Sequence, residues 1–378
     1  MPLKKIPEPK PLFLERMKEL LGGDFDSYIE SLKSEPPKSI RVNTLKISPE
    51  ELKKRLEEKG WKIKQPWPNY PEVMIIEGKF AFSKFSNINE NIITNKIDND
   101  ENKSASKIYS LNKVSVKNMT KSVLNHPLAS HSERILIDLE PGELGRALEH
   151  LLGYYYVQEL ASMLPVLVLE PKPNELILDL CSAPGSKTTQ LSATMSNTGT
   201  ITANEVSLGR IKILASNLER CGCSNVIITK KEGEAFCKKL KKAEFYFDKI
   251  LVDAPCSSEG TLRTTPKSYL MWNIKTIKNL PRIQKNLISS ALEILKPNGV
   301  LVYSTCTHAP EENEGVVNKI LKEFDNVEIE EINLPLKHRE GITSWENQTY
   351  NQRVKKCARI YPQDNNTEGF FIAKLRKK

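Results

Sequence analysis

The sequence predicts a doubly wound, Rossmann-like α/β sheet of seven strands, preceded by a small α+β domain. Three observations carry this. From Leu176 onward, short runs rich in Val, Ile and Leu alternate with amphipathic stretches long enough for helices, the pattern of a parallel sheet buried on both faces. The first run opens into a turn of small residues, Cys181-Ser182-Ala183-Pro184-Gly185-Ser186-Lys187-Thr188, where such a sheet admits a nucleotide. Two later runs end in cysteine segments, Asp253-Ala254-Pro255-Cys256 and Ser304-Thr305-Cys306-Thr307. Ligands gather at the carboxyl ends of parallel strands, so both thiols should reach one edge of one sheet.

In chain order, residues 11–35 place apolar side chains at helical spacing and form an amino-terminal helical segment, 1–35. Residues 36–149 form the small α+β domain. Ser39–Lys46 reads as a strand. Ser48-Pro49-Glu50-Glu51 then opens a helix, with Ser at N-cap, Pro at N1 and Glu at N3, and Gly60 ends it. Trp61 to Ile76 suggests further strands. Residues 86–125 hold no Gly or Pro and are rich in Asn, Lys and Ser, which reads as a low-complexity surface insertion. Tyr154, Tyr155 and Tyr156 are read as core packing.

Residues 150–378 are expected to form the second, larger domain. Its expected strands are 176–180, 200–204, 225–229, 249–253, 300–304, 327–332 and 370–375. Expected helices include 187–195, 208–220, 287–295 and 310–324.

Bulk properties narrow the function. The net charge of +9, from 56 basic and 47 acidic residues, favours a polyanionic partner. Seven cysteines without a repeating framework, the tight Cys221-Gly222-Cys223 included, argue for free thiols in a reducing compartment and against a metal site. Met1–Lys10 lacks the apolar core of a signal peptide. No run approaches the ~18 apolar residues that span a membrane. A cytoplasmic monomer without a membrane partner is expected.

The 181–188 turn fails the spacing of a phosphate-binding Walker loop, and the Gly-x-Gly-x-x-Gly dinucleotide fingerprint is absent. Glu205 closes the second strand, about twenty residues past the turn, where a carboxylate accepts from ribose hydroxyls. Glu232 follows the third strand and could meet the adenine edge.

These segments, together with Gly153–Ser162, Asp253–Gly260, Ser304–Glu314 and Gly369–Lys374, resemble the RNA cytosine-5 methyltransferases, the NOL1/NOP2/Sun group, most of all its archaeal tRNA-methylating branch. The resemblance implies S-adenosylmethionine as cofactor, held by Cys181, Ser182, Ala183, Pro184, Gly185, Ser186, Lys187, Glu205, Arg210, Glu232 and Asp253. It implies that Cys306 attacks cytosine carbon 6, that Cys256 assists release, that Asp253 binds the base and that Lys187 supports the constellation. Two departures stand out: the family often has Asp where Glu232 stands, and the 86–125 insertion is not part of its pattern.

Chemistry agrees with that division of labour. Carbon 5 of cytosine is a poor nucleophile, and thiolate addition at carbon 6 makes it enamine-like. Arg263, Lys267 and Arg282 are candidates for phosphate contacts. His308 is expected to be structural, and Asn313 and Glu314 to brace the Cys306 loop. RNA, tRNA foremost, is the expected partner. Ribosomal RNA as substrate, or a non-catalytic RNA-binding factor of the same fold, are the alternatives. A DNA methyltransferase is disfavoured, because that group places its nucleophile in the Pro-Cys motif.

Overall fold

The computed structural model describes residues 8–82 and 134–378; the insertion expected at 86–125 lies outside the described residues. Helices α1 (Pro11–Leu21) and α2 (Phe25–Ser31) come first. They do not form a unit of their own. Phe13, Met17, Leu21 and Tyr28 pack against Leu262, Tyr269, Trp272 and Tyr361 of the catalytic domain.

The small domain is an antiparallel sheet covered by a helix. It comprises β1 (Lys38–Val42), α3 (Pro49–Glu58), β2 (Trp61–Lys64), β3 (Val73–Phe82), β4 (Arg134–Ile137), the short helices α4 (Glu143–Arg146) and α5 (Leu148–Leu151), and β5 (Tyr155–Val157). Ser48 caps α3 by accepting from Glu51 N at 3.1 Å, and Gly60 leaves the helix at φ +83°. The strand order is β2-β3-β1-β5, with β4 also on β3. Strand β5 pairs with Ile40–Val42, so residues counted with the catalytic domain from 150 begin with a strand of the first sheet. Tyr155 is fully buried there and Tyr156 nearly so.

The second sheet is built from α6 (Leu160–Leu169), β6 (Leu176–Asp179), α7 (Ser186–Thr194), β7 (Thr200–Asn204), α8 (Leu208–Cys221), β8 (Val226–Thr229), α9 (Gly233–Lys242), β9 (Phe247–Asp253), α10 (Ser268–Met271), α11 (Ile274–Glu293), β10 (Leu295–Thr305), α12 (Glu314–Glu323) and β11 (Val327–Glu330). It is completed by β12 (Arg339–Glu340), β15 (Ala358–Ile360), α13 (Pro362–Asn365) and β16 (Phe370–Lys377), with β13 (Ser344–Trp345) and β14 (Gln348–Thr349) forming a separate hairpin. The order is β8-β7-β6-β9-β10-β16, parallel except for β16. Strands β11 and β15 both pair with β16, and β12 pairs with β15.

All seven expected strands are present. Strands β12 and β15 were not anticipated, because runs of two or three residues carry no legible period. Helix α11 begins at Ile274, not at 287. Asn273 caps it by accepting from Thr276 N at 2.8 Å. Pro281 lies inside it on the buried face with Ile277, Gln284 and Leu287, so packing outweighs the lost backbone bond. Helix α12 starts four residues later than the expected 310, because Asn313 is committed elsewhere, as described below.

Strand order reverses between β6 and β9: β6 is followed by β7 on one side, and β9 by β10 on the other. Open α/β sheets form their binding crevice at such a switch point.

Candidate active site

Two parallel neighbours deliver the thiols. Ser304 of β10 pairs with Asp253 of β9, so Cys256 and Cys306 leave the sheet side by side. Their sulfurs lie 3.2 Å apart, and both cysteines are free and part-exposed. The two thiols share one hydrogen bond, in which either sulfur can donate. That bond, with help from the Ser258 hydroxyl and Lys187, pulls the Cys306 thiol below its ordinary range against the effect of burial. Cys256 is pushed well up by the same bond, then by burial and by the nearby Glu312. The pair is therefore polarised: Cys306 toward thiolate, Cys256 toward thiol.

The loops holding them are braced by buried polar side chains. Asn313 accepts from Thr305 Oγ1 at 2.6 Å and donates to Thr307 O at 3.0 Å, clamping both neighbours of Cys306. Glu314 forms a buried two-point pair with Arg359, both contacts at 2.6 Å, and Arg359 also donates to His308 O at 3.0 Å. His308 itself stacks on Tyr361 with 4.9 Å between ring centres. Burial drives its pKa down to about 3, so it is a neutral packing group and no base.

Gly260 donates to Cys306 O at 2.9 Å, and Gly369 donates to Gly260 O at 2.8 Å. A Cβ on Gly260 would meet Gly369 O at 2.3 Å, so only glycine allows these three segments to converge.

Beside the thiols lies a cavity of about 360 Å³. Its wall includes Cys181, Ser182, Ala183, Pro184, Ser186, Lys187, Asp253 and Cys306. Lys187 Nζ bridges Asp253 Oδ2 at 2.8 Å and Ser162 Oγ at 3.1 Å, while Ser304 Oγ donates to Asp253 Oδ1 at 2.7 Å. Gly185 stands behind the wall as the N-cap of α7, at φ +104°. Glu205, buried at the end of β7, pairs with Arg210 at 2.9 Å, and Arg210 also donates to Ala183 O, which ties this pair to the loop. The Glu232 carboxylate caps α9 by accepting from Glu234 N and Ala235 N; like Glu205 and Arg210, it lies outside the cavity wall.

Several wall residues were not anticipated: Glu159, Asp179, Thr261, Thr264, Thr265, Glu368 and Phe370. Asp179 was the most legible of them, a carboxylate ending an apolar strand. Burial raises Asp179 to about 7, and Thr188 satisfies only its Oδ2, at 2.7 Å. Burial likewise raises Glu159 to about 7. Arg263, a candidate phosphate ligand, is instead a buried tie. It donates to Ser34 O and Thr367 O, each at 2.9 Å, and to Asn366 Oδ1 at 2.6 Å. Lys267 and Arg282 remain exposed.

The small domain also reaches the site. Arg41 of β1 is buried and donates to Ser186 O and to Thr189 Oγ1, each at 2.8 Å, holding the first turn of α7 that carries Lys187.

S-adenosylmethionine fits this wall. The buried Asp179 Oδ1 has no partner, and Glu159, Asp253 and Glu368 outnumber the single lining cation, Lys187, which suits a ligand with ammonium and sulfonium charges. A switch-point sheet with a small-residue turn, an acidic cavity and two paired thiols defines an S-adenosylmethionine-dependent methyltransferase. Comparison with known proteins narrows the class. Residues 166–376 match the family model of the 16S rRNA methyltransferases RsmB/F, and residues 9–80 match the N-terminal domain of 16S rRNA methyltransferase RsmF. The chain belongs to this family of RNA cytosine-5 methyltransferases.

Among its relatives, the tRNA (cytosine(49)-C(5))-methyltransferase of Pyrococcus abyssi is 47% identical over 233 residues, 62% of this chain and 73% of the relative. The ribosomal RNA small subunit methyltransferase F of Aliivibrio salmonicida is 35% identical over 97% of this chain. The chain spans 63% of that relative's length. A methyltransferase homologue from Pyrococcus horikoshii superposes with a TM-score of 0.72 at 31% identity, covering 98% of this chain and 95% of the other. The NSun6 of the same organism, solved with SFG, gives 0.72 at 28% identity, with coverage of 97% and 98%.

Proposed function

We propose that the chain methylates carbon 5 of a cytidine in tRNA by a two-cysteine covalent route. The observation that carries this is the polarised thiol pair, 3.2 Å apart, beside Asp253 and the cofactor cavity.

Bound S-adenosylmethionine supplies the methyl group. The Cys306 thiolate adds to cytosine carbon 6, forming a carbon–sulfur bond and shifting the ring's π pair onto carbon 5, which takes the methyl. Asp253 accepts from the exocyclic amino group of the base and so orients the ring as charge develops on addition. Lys187 and Ser304 fix that carboxylate from both sides. A water molecule then takes the carbon 5 proton, the C–H pair restores the ring double bond, and the carbon–sulfur pair leaves with Cys306 as thiolate. Cys256 holds the proton nearest the departing sulfur and assists this release. The base reaches the site by leaving its stack.

The relative at 47% identity is named for tRNA, which favours tRNA as substrate. Small-subunit ribosomal RNA is the second reading, favoured by the match of residues 9–80 to the RsmF N-terminal domain.

The test incubates wild type, Cys306→Ala and Cys256→Ala with labelled cofactor and either tRNA or ribosomal RNA transcripts. Expected are 5-methylcytosine on tRNA from wild type, neither product nor adduct from Cys306→Ala, and a trapped protein–RNA adduct from Cys256→Ala. An adduct in Cys306→Ala would reverse the roles. Methylation of ribosomal RNA alone would replace the substrate.

A further inference from the structure

We propose that the tip of α10, Leu270–Met271, is an apolar wedge that enters the RNA stack as the target cytosine leaves it. The proposal rests on the RNA-methylating reading above. Leu270 is 63% exposed and Met271 75%, whereas their neighbours Tyr269 and Trp272 are 4% and 6% exposed. Two adjacent large apolar side chains thus stand outward between two buried aromatic anchors.

The anchors are firmly held. Phe13 meets Tyr269 and Trp272 edge-on, at 5.6 and 5.7 Å between ring centres, and Lys10 Nζ donates to Trp272 O at 2.6 Å. The tip is also mechanically joined to the nucleophile. Trp272 Nε1 donates to Glu259 Oε1 at 2.7 Å, and Glu259 Oε2 accepts from Thr307, the residue after Cys306, at 3.2 Å. Thr261, Thr264 and Thr265 line the cavity. Leu270 follows only five residues later, so it stands within about 17 Å of that wall.

Charge identifies the occupant. From Gly260 to Leu292 there is no acidic residue, while Arg263, Lys267, Lys275, Lys278, Arg282 and Lys285 fall in that stretch. Lys275, Lys278 and Arg282 recur at helical spacing and are exposed. Lys267, Lys275 and Lys278 have no acidic partner among the described residues, whereas Arg282 shares a pocket wall with Glu232 and Glu234 and Lys285 pairs with Glu323 at 2.6 Å. Cations flanking an apolar tip match a phosphate backbone on either side of a base step, and are a poor match for a purely apolar protein partner.

The test compares wild type with Leu270→Ser/Met271→Ser on two RNA oligonucleotides of one sequence. In one the target cytosine is stacked in a duplex; in the other abasic sites flank it, so that it is already unstacked. Cofactor binding by calorimetry checks that the variant is folded. The expected result is a loss of roughly tenfold or more on the stacked substrate, with the unstacked substrate methylated within about twofold of wild type. Fluorescence of 2-aminopurine beside the target should rise on binding wild type and stay low with the variant. Equal rates of wild type and variant on the stacked substrate, or an equal loss on both substrates, would overturn the wedge. Absence of wild-type methylation on every RNA would instead remove the reading it rests on.

Discussion

Both ends of the catalytic sheet carry charged cavities but treat the charge differently. At the amino-terminal ends of the strands, a cavity of about 290 Å³ is lined by Glu170, Glu175, Asp248, Lys249, Lys296 and Arg376, among others. There Lys249 pairs with Glu175 at 3.1 Å, Lys296 with Asp248 at 2.7 Å, and Arg376 with Glu330. Partial burial works against the Asp248 carboxylate, but Lys296 and the Leu176 N–H hold it below the usual range. None of the lining side chains keeps an unpartnered buried atom. At the carboxyl ends, Asp179 Oδ1, Glu312 Oε1 and Glu368 Oε2 are buried without partners, and burial lifts Asp179, Glu159 and Glu312 to about 7. Charge alone does not mark function. Carboxylate oxygens that the chain leaves unpaired beside a cavity are available to a ligand.

Cys306→Ser should break the contrast most strongly, lowering kcat on the order of 10³-fold or more while urea denaturation moves little. Asn313→Ala should follow. Losing the clamp on both neighbours of Cys306 should lower kcat on the order of 10²-fold with KM for RNA nearly unchanged, a split that simple destabilisation would not give.

The third prediction concerns pH. The Asp179 carboxyl is protonated below about 7 in the folded protein and only below its ordinary value of 3.8 when unfolded. Its contribution to stability is therefore full below about 4 and lost as pH rises to about 7. Cofactor affinity should run the opposite way. The ionised carboxylate attracts a cationic ligand, so the Kd for S-adenosylmethionine should fall as pH rises toward about 7 and level above it. Glu159, Glu368, Asp253 and Lys187 face the same cavity. Asp179→Asn should flatten most of the profile; a profile unchanged by that variant would move the effect to Glu159 or Glu368. Smallest of all, Lys296→Ala at the opposite end should cost no more than about 1 kcal/mol, read from the urea midpoint, and leave methylation unaltered.

Much of the site was legible because its residues cluster in sequence at strand ends. The 181–187 loop, Asp253, Cys256 and Cys306 follow apolar runs whose direction and alternation predict where they emerge. Glu232 has a duty that its position after β8 did not announce: its carboxylate caps α9 by accepting from two backbone N–H groups. Arg263 shows the limit of such reading, since its three side-chain nitrogens make five hydrogen bonds to Ser34, Glu35, Asn366 and Thr367, residues more than a hundred positions away.

The sequence by itself determined the parallel sheet, the small-residue turn after its first strand and the two thiols at strand ends, because period, turn chemistry and strand direction are local properties. Only the tertiary structure decided that the thiols touch and are polarised, that Asn313 clamps Cys306, and that Arg41 of the small domain steadies the helix bearing Lys187. Those outcomes depend on which side chains meet across different elements, and burial and pairing at such meetings set both geometry and charge.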